Sequence, residues 1–342
     1  MNKQNPVLEI RPIPVESYHR EMKIMILTHA AGLTEFLSQK LEQFGLATKR
    51  VDYAKPLLSQ ISDADVLVNG LGKIDKFLID MCPKLKLVHQ VGTGIDNVDV
   101  KYCRLKSIYV ASVPYVNNVA VAEHTLFLMI HMAKNMKSAG ESLMKRRVLN
   151  VLGSELYGKY LTIIGLGATG IEVAKRANCF GMHVSAVTKH PSSKSRTNNG
   201  INIMDQVQGL EHLNDLIATA DYVSIHTPLT NETENLIGAK ELNSMKKSAF
   251  LINVARAQIV DKDTLFDTLS NRKIAGAAFD VFWEEPADPN DRLLNLDNFI
   301  LTPHIAGWTA EAADTTTSLI AENINRVLNL REKPTTLINL NS

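Results

Sequence analysis

One hexapeptide, GLGATG at residues 165–170, restricts the fold of this chain more than any other stretch. It follows an apolar run at 160–165 that has the length of a β-strand, and it precedes a segment with apolar residues at helical spacing. A second strand-like run at 182–187 completes a unit of about thirty residues, the size of a dinucleotide-binding β-α-β unit. The sequence therefore predicts a parallel sheet with a dinucleotide phosphate site at this turn.

The three glycines of the hexapeptide have separate expected roles. Gly165 permits a tight turn, Gly167 lets the backbone approach a pyrophosphate, and Gly170 lets the helix pack closely on the strand. The N–H groups of Ala168 and Thr169, at the positive end of the helix, would then hold the anion. A turn that simply needs glycine is the alternative, but the intact strand–turn–helix context favours dinucleotide binding.

The size and charge of the chain narrow its expected partners. Its 342 residues predict two domains, since a domain usually has about 100–200 residues. The net charge of +1 gives no electrostatic reason to expect a nucleic-acid partner. No segment of the sequence approaches the roughly 18 consecutive apolar residues of a membrane span, so we expect no membrane partner.

The cysteines and the first residues of the sequence favour a cytoplasmic protein. Cys82, Cys103 and Cys179 are far apart and form no CxxC pair, which suits a reducing compartment and argues against a metal site built from cysteine. The polar, proline-containing start has no apolar region of the kind that a secretory signal needs.

A long apolar helix is predicted at 119–136, and it contains the adjacent polar residues Glu123 and His124. Adjacent side chains of a helix point in different directions. This arrangement favours a buried, hydrogen-bonded polar pair over a metal site. We therefore expect no bound metal.

Apolar runs of strand length alternate with helical segments along most of the chain, which is the pattern of parallel sheets covered on both faces. The predicted strands are 23–28, 65–70 and 85–90 in a first region, and 160–165, 182–187, 221–226, 248–254, 275–281 and 298–304 in a second. The biased stretch 191–200 indicates a polar surface loop. The sequence therefore predicts an α/β fold.

The ends of the later predicted strands collect Arg256, Glu285 and His304, and ligands of open parallel sheets bind beyond the carboxyl ends of the strands. Arg256 can grip a carboxylate through its planar guanidinium. His304 can donate a proton, with Glu285 keeping its imidazolium charged near neutral pH. Alone, each has an ordinary structural explanation as a loop salt bridge, a solvated acid or a cap. Together with a bound cofactor they favour hydride transfer to a carbonyl.

Three further histidines, His29, His89 and His226, also stand at apparent strand ends. They are weaker candidates for a direct role: a backbone or loop role is favoured for His226, and the first two could line a cleft.

Seven motifs occur in order along the chain: VGTGIDNVD (91–99), VAVAEHTLFLM (119–129), GLGATGIEVAKRANCFGM (165–182), HTPLTNETENLIG (226–238), NVARAQIVD (253–261), DVFWEEP (280–286) and TPHIAGWT (302–309). With them the chain resembles the D-isomer-specific 2-hydroxyacid dehydrogenase family, which includes glyoxylate/hydroxypyruvate reductases and phosphoglycerate dehydrogenases. The resemblance implies an α/β fold of two domains with the active site in the cleft between them. A Rossmann-type dinucleotide-binding domain at 118–306 would be inserted in a flavodoxin-like substrate domain made of 1–117 and 307–342.

The resemblance also assigns roles by position. Arg256 would anchor the substrate carboxylate and carbonyl, His304 would be the general acid and base, and Glu285 would be its partner. Expected cofactor contacts are Thr125, Gly165, Leu166, Gly167, Ala168, Thr169, Gly170, Thr188, Lys189, His190, Thr227, Pro228, Val254, Ala255 and Asp280, the last at the nicotinamide carboxamide.

Substrate contacts are expected from two places in the sequence. The turn at Gly92, Thr93 and Gly94 would offer N–H groups to the carboxylate of a small 2-keto or 2-hydroxy acid. Leu71 and Trp308 would shape the pocket around the rest of the substrate. The family is usually dimeric, so the resemblance implies a homodimer with the 119–136 helix near its interface.

The residues after the predicted strand 182–187 bear on the choice between the two nicotinamide cofactors. An acid there would bind the 2′-hydroxyl of NAD(H) and repel the 2′-phosphate of NADP(H). The chain has Thr188, Lys189 and His190 instead, with Ser192, Ser193, Lys194 and Arg196 nearby, and these can bind a phosphate. The pattern therefore favours NADP(H), the alternative being solvated loop residues on a tolerant NAD enzyme.

The chain departs from the family pattern in two places. Ala257 stands where the family usually has glycine, so we expect its backbone to adopt a conformation that glycine takes more easily. The first twenty residues match no family motif.

Two other functions stay open at this point. Formate dehydrogenases resemble this site but have Gln in place of Glu285, and formate oxidation needs no proton transfer. A cofactor-sensing corepressor would share the fold and the three polar residues.

Overall fold

The computed structural model of the chain describes residues 22–191, 197–198 and 201–338. The chain divides into two compact units, one of Met1–Val116 with Ala310–Ser342 and one of Asn117–Thr309. The first twenty residues lie outside the described residues, as do Ser192, Ser193, Lys194 and Arg196.

Helices and strands alternate along most of both units. The helices are α1 (Ala31–Gln43), α2 (Leu58–Ile61), α3 (Lys76–Asp80), α4 (Val100–Leu105), α5 (Asn118–Ala133), α6 (Met136–Met144), α7 (Ala168–Cys179), α8 (Leu213–Thr219), α9 (Ala239–Ser244), α10 (Lys262–Ser270) and α11 (Ala310–Asn325). The strands are β1 (Ile24–Leu27), β2 (Thr48–Arg50), β3 (Val66–Asn69), β4 (Leu87–Gln90), β5 (Tyr109–Ala111), β6 (Tyr160–Ile164), β7 (His183–Val187), β8 (Thr197–Asn198), β9 (Ile201–Asn202), β10 (Gln206–Gln208), β11 (Tyr222–Ile225), β12 (Phe250–Asn253), β13 (Gly276–Phe279) and β14 (Phe299–Leu301). A π-helical turn, Arg326–Leu330, continues α11.

The first unit is built on a parallel sheet with the strand order β2-β1-β3-β4-β5, which is the order of flavodoxin-like sheets. Alternate residues of β1 enter two apolar cores, Ile24 and Ile26 in one and Met25 and Leu27 in the other. Burial on both faces explains why this strand is an uninterrupted apolar run.

The second unit has a larger parallel sheet, in the order β10-β7-β6-β11-β12-β13-β14. With β8 and β9 left aside and β6 counted as strand 1, the order is 3-2-1-4-5-6-7, and its first six strands have the order of dinucleotide-binding sheets. The adjacent residues Ile163 and Ile164 enter opposite cores of this unit. The two sheets confirm the predicted α/β fold, with one sheet of the Rossmann type and one of the flavodoxin type.

In the two large sheets, three strands were missed in the sequence, and each is three residues long at the edge of its sheet. β2 (TKR) and β10 (QVQ) have polar edge residues instead of an apolar run. The stretch 191–200, predicted as a loop, also contributes to a short antiparallel hairpin in which β8 pairs with β9. Strands this short and polar leave no pattern of periodicity in a sequence.

Two expectations from the sequence concern membrane spans and the cysteines. No described helix is long and apolar enough to cross a membrane. Cys82, Cys103 and Cys179 are free thiols, of which the first two are buried. Burial raises the pKa of the Cys103 thiol to about 12, so this thiol stays protonated near neutral pH.

His89 lies in a buried polar network of the first unit, so the expectation that it lines a cleft is wrong. Its Nδ1 lies 3.1 Å from the Gln90 carbonyl oxygen, and its Nε2 lies 2.9 Å from Asn323 Nδ2. The Asn323 side-chain oxygen accepts the backbone N–H of Thr335 at 2.7 Å. The network therefore joins β4 to α11 and to the segment that follows it.

We expect the stability of the first unit to fall as the pH drops from about 6.5 toward 4. Burial lowers the pKa of His89 from 6.5 to about 4, whereas the same side chain protonates near 6.5 in the unfolded chain. Because the folded state binds fewer protons in this window, the free energy of unfolding falls by about 2 kcal/mol between pH 7 and pH 5. Urea unfolding of His89→Gln at these two pH values should show a smaller loss than the wild type.

The matched control for this measurement is His29→Gln, at an exposed histidine of the same unit. It should retain the full wild-type loss of stability. An identical loss in His89→Gln and in the wild type would contradict the assignment of the pH dependence to His89.

Candidate active site

The GLGATG turn has the geometry of a phosphate-binding turn. Gly165 has a φ of +95°, and a Cβ there would lie 2.7 Å from backbone atoms of His226 and Thr227. A Cβ on Gly170 would lie 2.5 Å from the Gly165 carbonyl oxygen. Both positions therefore require glycine, the first for a left-handed backbone and the second for a close helix–strand contact.

Gly167 differs from its neighbours, because a Cβ there would meet no atom within 4 Å. It is the N-cap of α7, and no side chain among the described residues caps this helix. The N–H groups of the first turn, those of Ala168 and Thr169 included, are therefore available to an anion. The open space beside Gly167 and the uncapped helix fit the pyrophosphate of a dinucleotide, with the half-buried Leu166 next to it.

The buried carboxylate of Asp280, which follows β13, holds the turn after β14. It accepts the N–H groups of Ile305 at 3.0 Å and Ala306 at 2.7 Å, and the hydroxyl of Thr302 at 2.5 Å. Only 1% of Asp280 is exposed. The expected contact of Asp280 with a nicotinamide carboxamide stays a prediction, and the sequence analysis missed the structural role of this residue.

His304 lies in the turn that Asp280 holds. Its φ of +54° is a left-handed conformation that residues other than glycine rarely adopt, and the bonds from Asp280 to the next two N–H groups stabilise it. His304 Nδ1 lies 2.7 Å from Glu285 Oε2, while Glu285 Oε1 accepts the N–H of Phe282 at 2.9 Å. The predicted histidine–glutamate pair is therefore present in the structure. Trp308, which was expected to shape the substrate pocket, follows this turn and is 41% exposed.

The charge on Glu285 is favoured by its surroundings. Burial raises the pKa of Glu285, but the hydrogen bond and charge of His304, the N–H of Phe282 and the charge of Arg256 outweigh it, so the pKa lies below its ordinary value. Glu285 therefore remains ionised at neutral pH. The charge of Arg256 lowers the pKa of the same carboxylate, so the structure places the three predicted residues near one another.

Arg256 stands in the turn after β12, and the buried amide of Asn253 shapes this turn. Asn253 Nδ2 donates to the Arg256 carbonyl oxygen at 2.9 Å, and its Oδ1 accepts the N–H of Ala255 at 3.0 Å. Ala257 begins a 3₁₀ turn and is not among the residues with positive φ. The expectation that Ala257 occupies a conformation suited to glycine is therefore wrong.

The remaining expected cofactor contacts follow strands of the second unit, with one exception. Thr227 and Pro228 follow β11, and Val254 and Ala255 follow β12. Thr125 in α5 is instead 0% exposed, and its hydroxyl donates at 2.7 Å to the carbonyl one turn earlier. Thr125 has no exposed surface to offer a cofactor, so the structure does not support the expected contact there.

Lys189, after β7, pairs with Glu232, a contact that the sequence analysis did not predict. Lys189 Nζ lies 2.6 Å from Glu232 Oε2, and both side chains are exposed. Thr188 donates its N–H to the Gln208 carbonyl oxygen at 3.0 Å, and His190 is exposed beside it. The base that stands in the place of the expected acid is therefore paired with an acid from the loop after β11.

His124 joins the network of Asp280. Its Nε2 lies 3.0 Å from Thr302 Oγ1 and 3.5 Å from Asp280 Oδ1, and burial lowers the pKa of His124. Glu123 is largely exposed and pairs with Arg176 at 3.2 Å, so the expected buried pair of Glu123 and His124 is wrong. Within the described residues, no group of three or more His, Cys, Asp or Glu side chains is arranged to hold a metal ion.

In the first unit, the expected substrate residues follow β3 and β4. Leu71 is 50% exposed. Gly92 accepts the N–H of Val113 at 3.2 Å, and the Thr93 hydroxyl donates to the Val113 carbonyl oxygen at 2.9 Å. The turn that ends at Gly94 is thus attached to the segment after β5.

Two buried amides join these turns, and neither was identified from the sequence. Asn69 Nδ2 donates to Gln90 Oε1 at 2.8 Å and to the Gly72 carbonyl oxygen at 2.8 Å. Gln90 Nε2 in turn donates to the Gly70 carbonyl oxygen at 2.5 Å. An amide at the end of a buried strand was the available signal for both residues.

The chain is similar to proteins of known family. The family described as "D-isomer specific 2-hydroxyacid dehydrogenase, NAD binding domain" matches residues 126–306. The D-3-phosphoglycerate dehydrogenase of Methanocaldococcus jannaschii is 38% identical over 275 residues, which are 80% of this chain and 51% of that protein. The chain therefore spans about half the length of that relative.

A relative of more similar length and a solved structure extend the comparison. The glyoxylate reductase of Aeropyrum pernix is 38% identical over 280 residues, covering 78% of this chain and 81% of that protein. The crystal structure of a D-lactate dehydrogenase from Aquifex aeolicus, complexed with NAD and lactic acid, superimposes with a TM-score of 0.80 at 25% identity, covering 92% of this chain and 98% of that one. The chain belongs to the D-isomer specific 2-hydroxyacid dehydrogenase family.

Proposed function

We propose that the chain is an NAD(P)-dependent oxidoreductase that interconverts a small 2-keto acid and a D-2-hydroxy acid. The observation that carries this proposal is the 2.7 Å contact between His304 Nδ1 and Glu285 Oε2 in the unit that also has the GLGATG turn. A proton donor in the same unit as a dinucleotide turn suits the reduction of a ketone. The relatives named glyoxylate reductase and D-3-phosphoglycerate dehydrogenase support the same reaction class.

The chain's own residues would anchor the substrate and move the proton. A bound nicotinamide supplies the hydride. Arg256 binds the carboxylate of the keto acid, and His304 donates the proton from Nε2 to the ketone oxygen, since its Nδ1 is engaged by Glu285. Glu285 holds the imidazolium in one orientation and stabilises its charge.

The first unit would complete the recognition of the substrate. The N–H groups of the 92–94 turn bind the substrate carboxylate, and Leu71 contacts its side chain. In this proposal Met1–Val116 with Ala310–Ser342 is the substrate domain, and Asn117–Thr309 is the cofactor domain.

The choice of cofactor in this proposal is NADP(H) over NAD(H). No acid stands at residues 188–190, and Lys189 and His190 are exposed after β7. A lysine there can contact the 2′-phosphate, and no acid among residues 188–190 repels that phosphate.

The histidine–glutamate pair favours this function over the formate alternative, whereas a corepressor would share the pair. Formate oxidation transfers no proton, so it has no use for His304 paired with an ionised Glu285. A corepressor needs no catalytic turnover at all.

Purified protein should oxidise NADPH, and NADH more slowly, in the presence of at least one small 2-keto acid. The panel is glyoxylate, hydroxypyruvate, pyruvate and a branched-chain 2-keto acid, each assayed with both reduced cofactors by absorbance. Formate with NAD⁺ is the arm for the formate alternative. Turnover of formate alone, or binding of both cofactors without turnover of any keto acid, would overturn the proposal.

Replacement of His304 or Arg256 should strongly reduce turnover without unfolding the chain. His304→Gln lacks the proton donor, so we expect kcat to fall by about 10²–10⁴-fold. Arg256→Gln loses the carboxylate anchor, and misplacing the substrate should lower kcat/KM by about 100-fold or more. Steady-state kinetics and circular dichroism are the measurements.

Two surface variants control for the loss of the same side-chain types. They are His212→Gln and Arg292→Gln, at residues of the second unit that are exposed or partly exposed. Both should keep wild-type kinetics. Turnover within a few-fold of wild type in His304→Gln would remove His304 from the mechanism.

We also propose that the protein forms a homodimer. The segment from Leu143 to Leu152 carries apolar side chains that are largely exposed: Leu143 at 75%, Met144 at 85%, Val148 at 87%, Leu149 at 101% and Leu152 at 95%. Large exposed apolar patches mark association surfaces, and this segment follows closely after the α5 helix that the family resemblance places near a dimer interface.

Replacement of Leu149 and Leu152 by Glu should convert this dimer to a monomer, because the charges would have to be buried without partners. Light scattering coupled to size-exclusion chromatography measures the mass. Leu105→Glu, at an apolar residue of the first unit that is 80% exposed, is the control and should remain dimeric. A monomeric wild type would contradict the proposal.

A further inference from the structure

The acid that dinucleotide-binding folds place at the end of the second strand has a counterpart here, supplied by a different strand. Glu232 lies in the loop after β11, and its Oε2 is 2.6 Å from Lys189 Nζ at the end of β7. In the sheet, β6 alone separates β7 from β11. A carboxylate is therefore present beside the position where a 2′-hydroxyl or 2′-phosphate would be recognised.

The loop that carries Glu232 is held in place by its own threonines. The Thr233 hydroxyl donates to the Pro228 carbonyl oxygen at 2.7 Å and accepts the Thr230 N–H at 2.8 Å. The N–H of Glu232 donates to the Thr230 hydroxyl at 3.3 Å. Glu232 thus stands on an ordered turn.

The start of this loop also packs against the phosphate turn. A Cβ on Gly165 would lie 2.7 Å from the carbonyl group of His226 and from the N–H nitrogen of Thr227. The start of the Glu232 loop therefore packs against the same turn that would bind the pyrophosphate.

We propose that Glu232 is a cofactor-specificity residue that lowers the affinity for NADP(H) by pairing with Lys189. This inference rests on the proposed function, since it requires a dinucleotide at the GLGATG turn. Lys189 can contact a 2′-phosphate only by leaving Glu232, and the unpaired carboxylate then faces a dianion. NAD(H) has no 2′-phosphate, so its binding leaves the pair intact.

The pair is weak enough to exchange partners. The side chains of Lys189 and Glu232 are 60% and 66% exposed, and exposed ion pairs contribute little to stability and are screened by salt. The hydrogen bond and charge of Lys189 lower the pKa of Glu232, so the carboxylate is charged at neutral pH. The effect on binding should accordingly be modest and sensitive to ionic strength.

The test compares nucleotide binding by Glu232→Gln and the wild type. We measure dissociation constants for NADPH, NADH and adenosine 2′,5′-bisphosphate by calorimetry at low salt. Glu232→Gln should bind NADPH and the bisphosphate about threefold to fivefold more tightly, with less than a twofold change for NADH. At about 1 M salt the gain should largely vanish, because the Debye length falls to about 3 Å.

Two further variants test whether the gain in NADPH affinity depends on Glu232 and on its pairing with Lys189. Glu234→Gln removes the charge of an exposed glutamate in the same loop and should bind all three nucleotides like the wild type. Lys189→Met should weaken NADPH binding, and the gain from Glu232→Gln should be smaller in that background.

The outcomes separate this inference from the proposed function. Wild-type binding of nucleotides with no gain for NADPH in Glu232→Gln, or an equal gain in Glu234→Gln, overturns the role of Glu232 alone. Absence of binding of either cofactor to the wild type overturns the proposed function and this inference with it.

Discussion

The parallel direction of the strands in the two large sheets determines where the chemistry of this chain lies. A parallel strand must be followed by a crossover, so the turns that leave the strands gather at the carboxyl edge of each sheet. In the second unit that edge carries the glycine turn, Arg256 and the paired His304 and Glu285. The strands themselves are buried on both faces, which leaves their ends as the place where polar groups meet solvent.

Buried polar groups set the geometry of this edge. Asp280 holds the left-handed turn of His304 through two N–H groups, and Asn253 holds the turn of Arg256. Each is almost completely buried, and burial without these bonds would be strongly unfavourable. Their bonds are therefore strong constraints, and they position the turns that carry His304 and Arg256.

The α/β fold and the catalytic candidates could be predicted because they follow from local patterns, namely apolar runs, the GLGATG context and side chains at strand ends. Contacts between distant segments left no such pattern. Nothing in the sequence connects Lys189 with Glu232, or shows that Thr125 bonds to its own helix and is closed to solvent. The backbone of Ala257 was misjudged because φ depends on the turn that Asn253 builds around it.

The way the first unit is assembled has a consequence for synthesis of the chain. Its core packs β1 against Ile320 and Ile324 of α11, and residues of the whole second unit are translated between these elements. The second unit can close its sheet as soon as Thr309 leaves the ribosome, whereas part of one apolar face of the first unit stays uncovered until α11 emerges. At about 5–20 residues per second, synthesis of Asn117–Thr309 takes roughly 10–40 s. During this time the nascent chain is most open to chaperones and to aggregation.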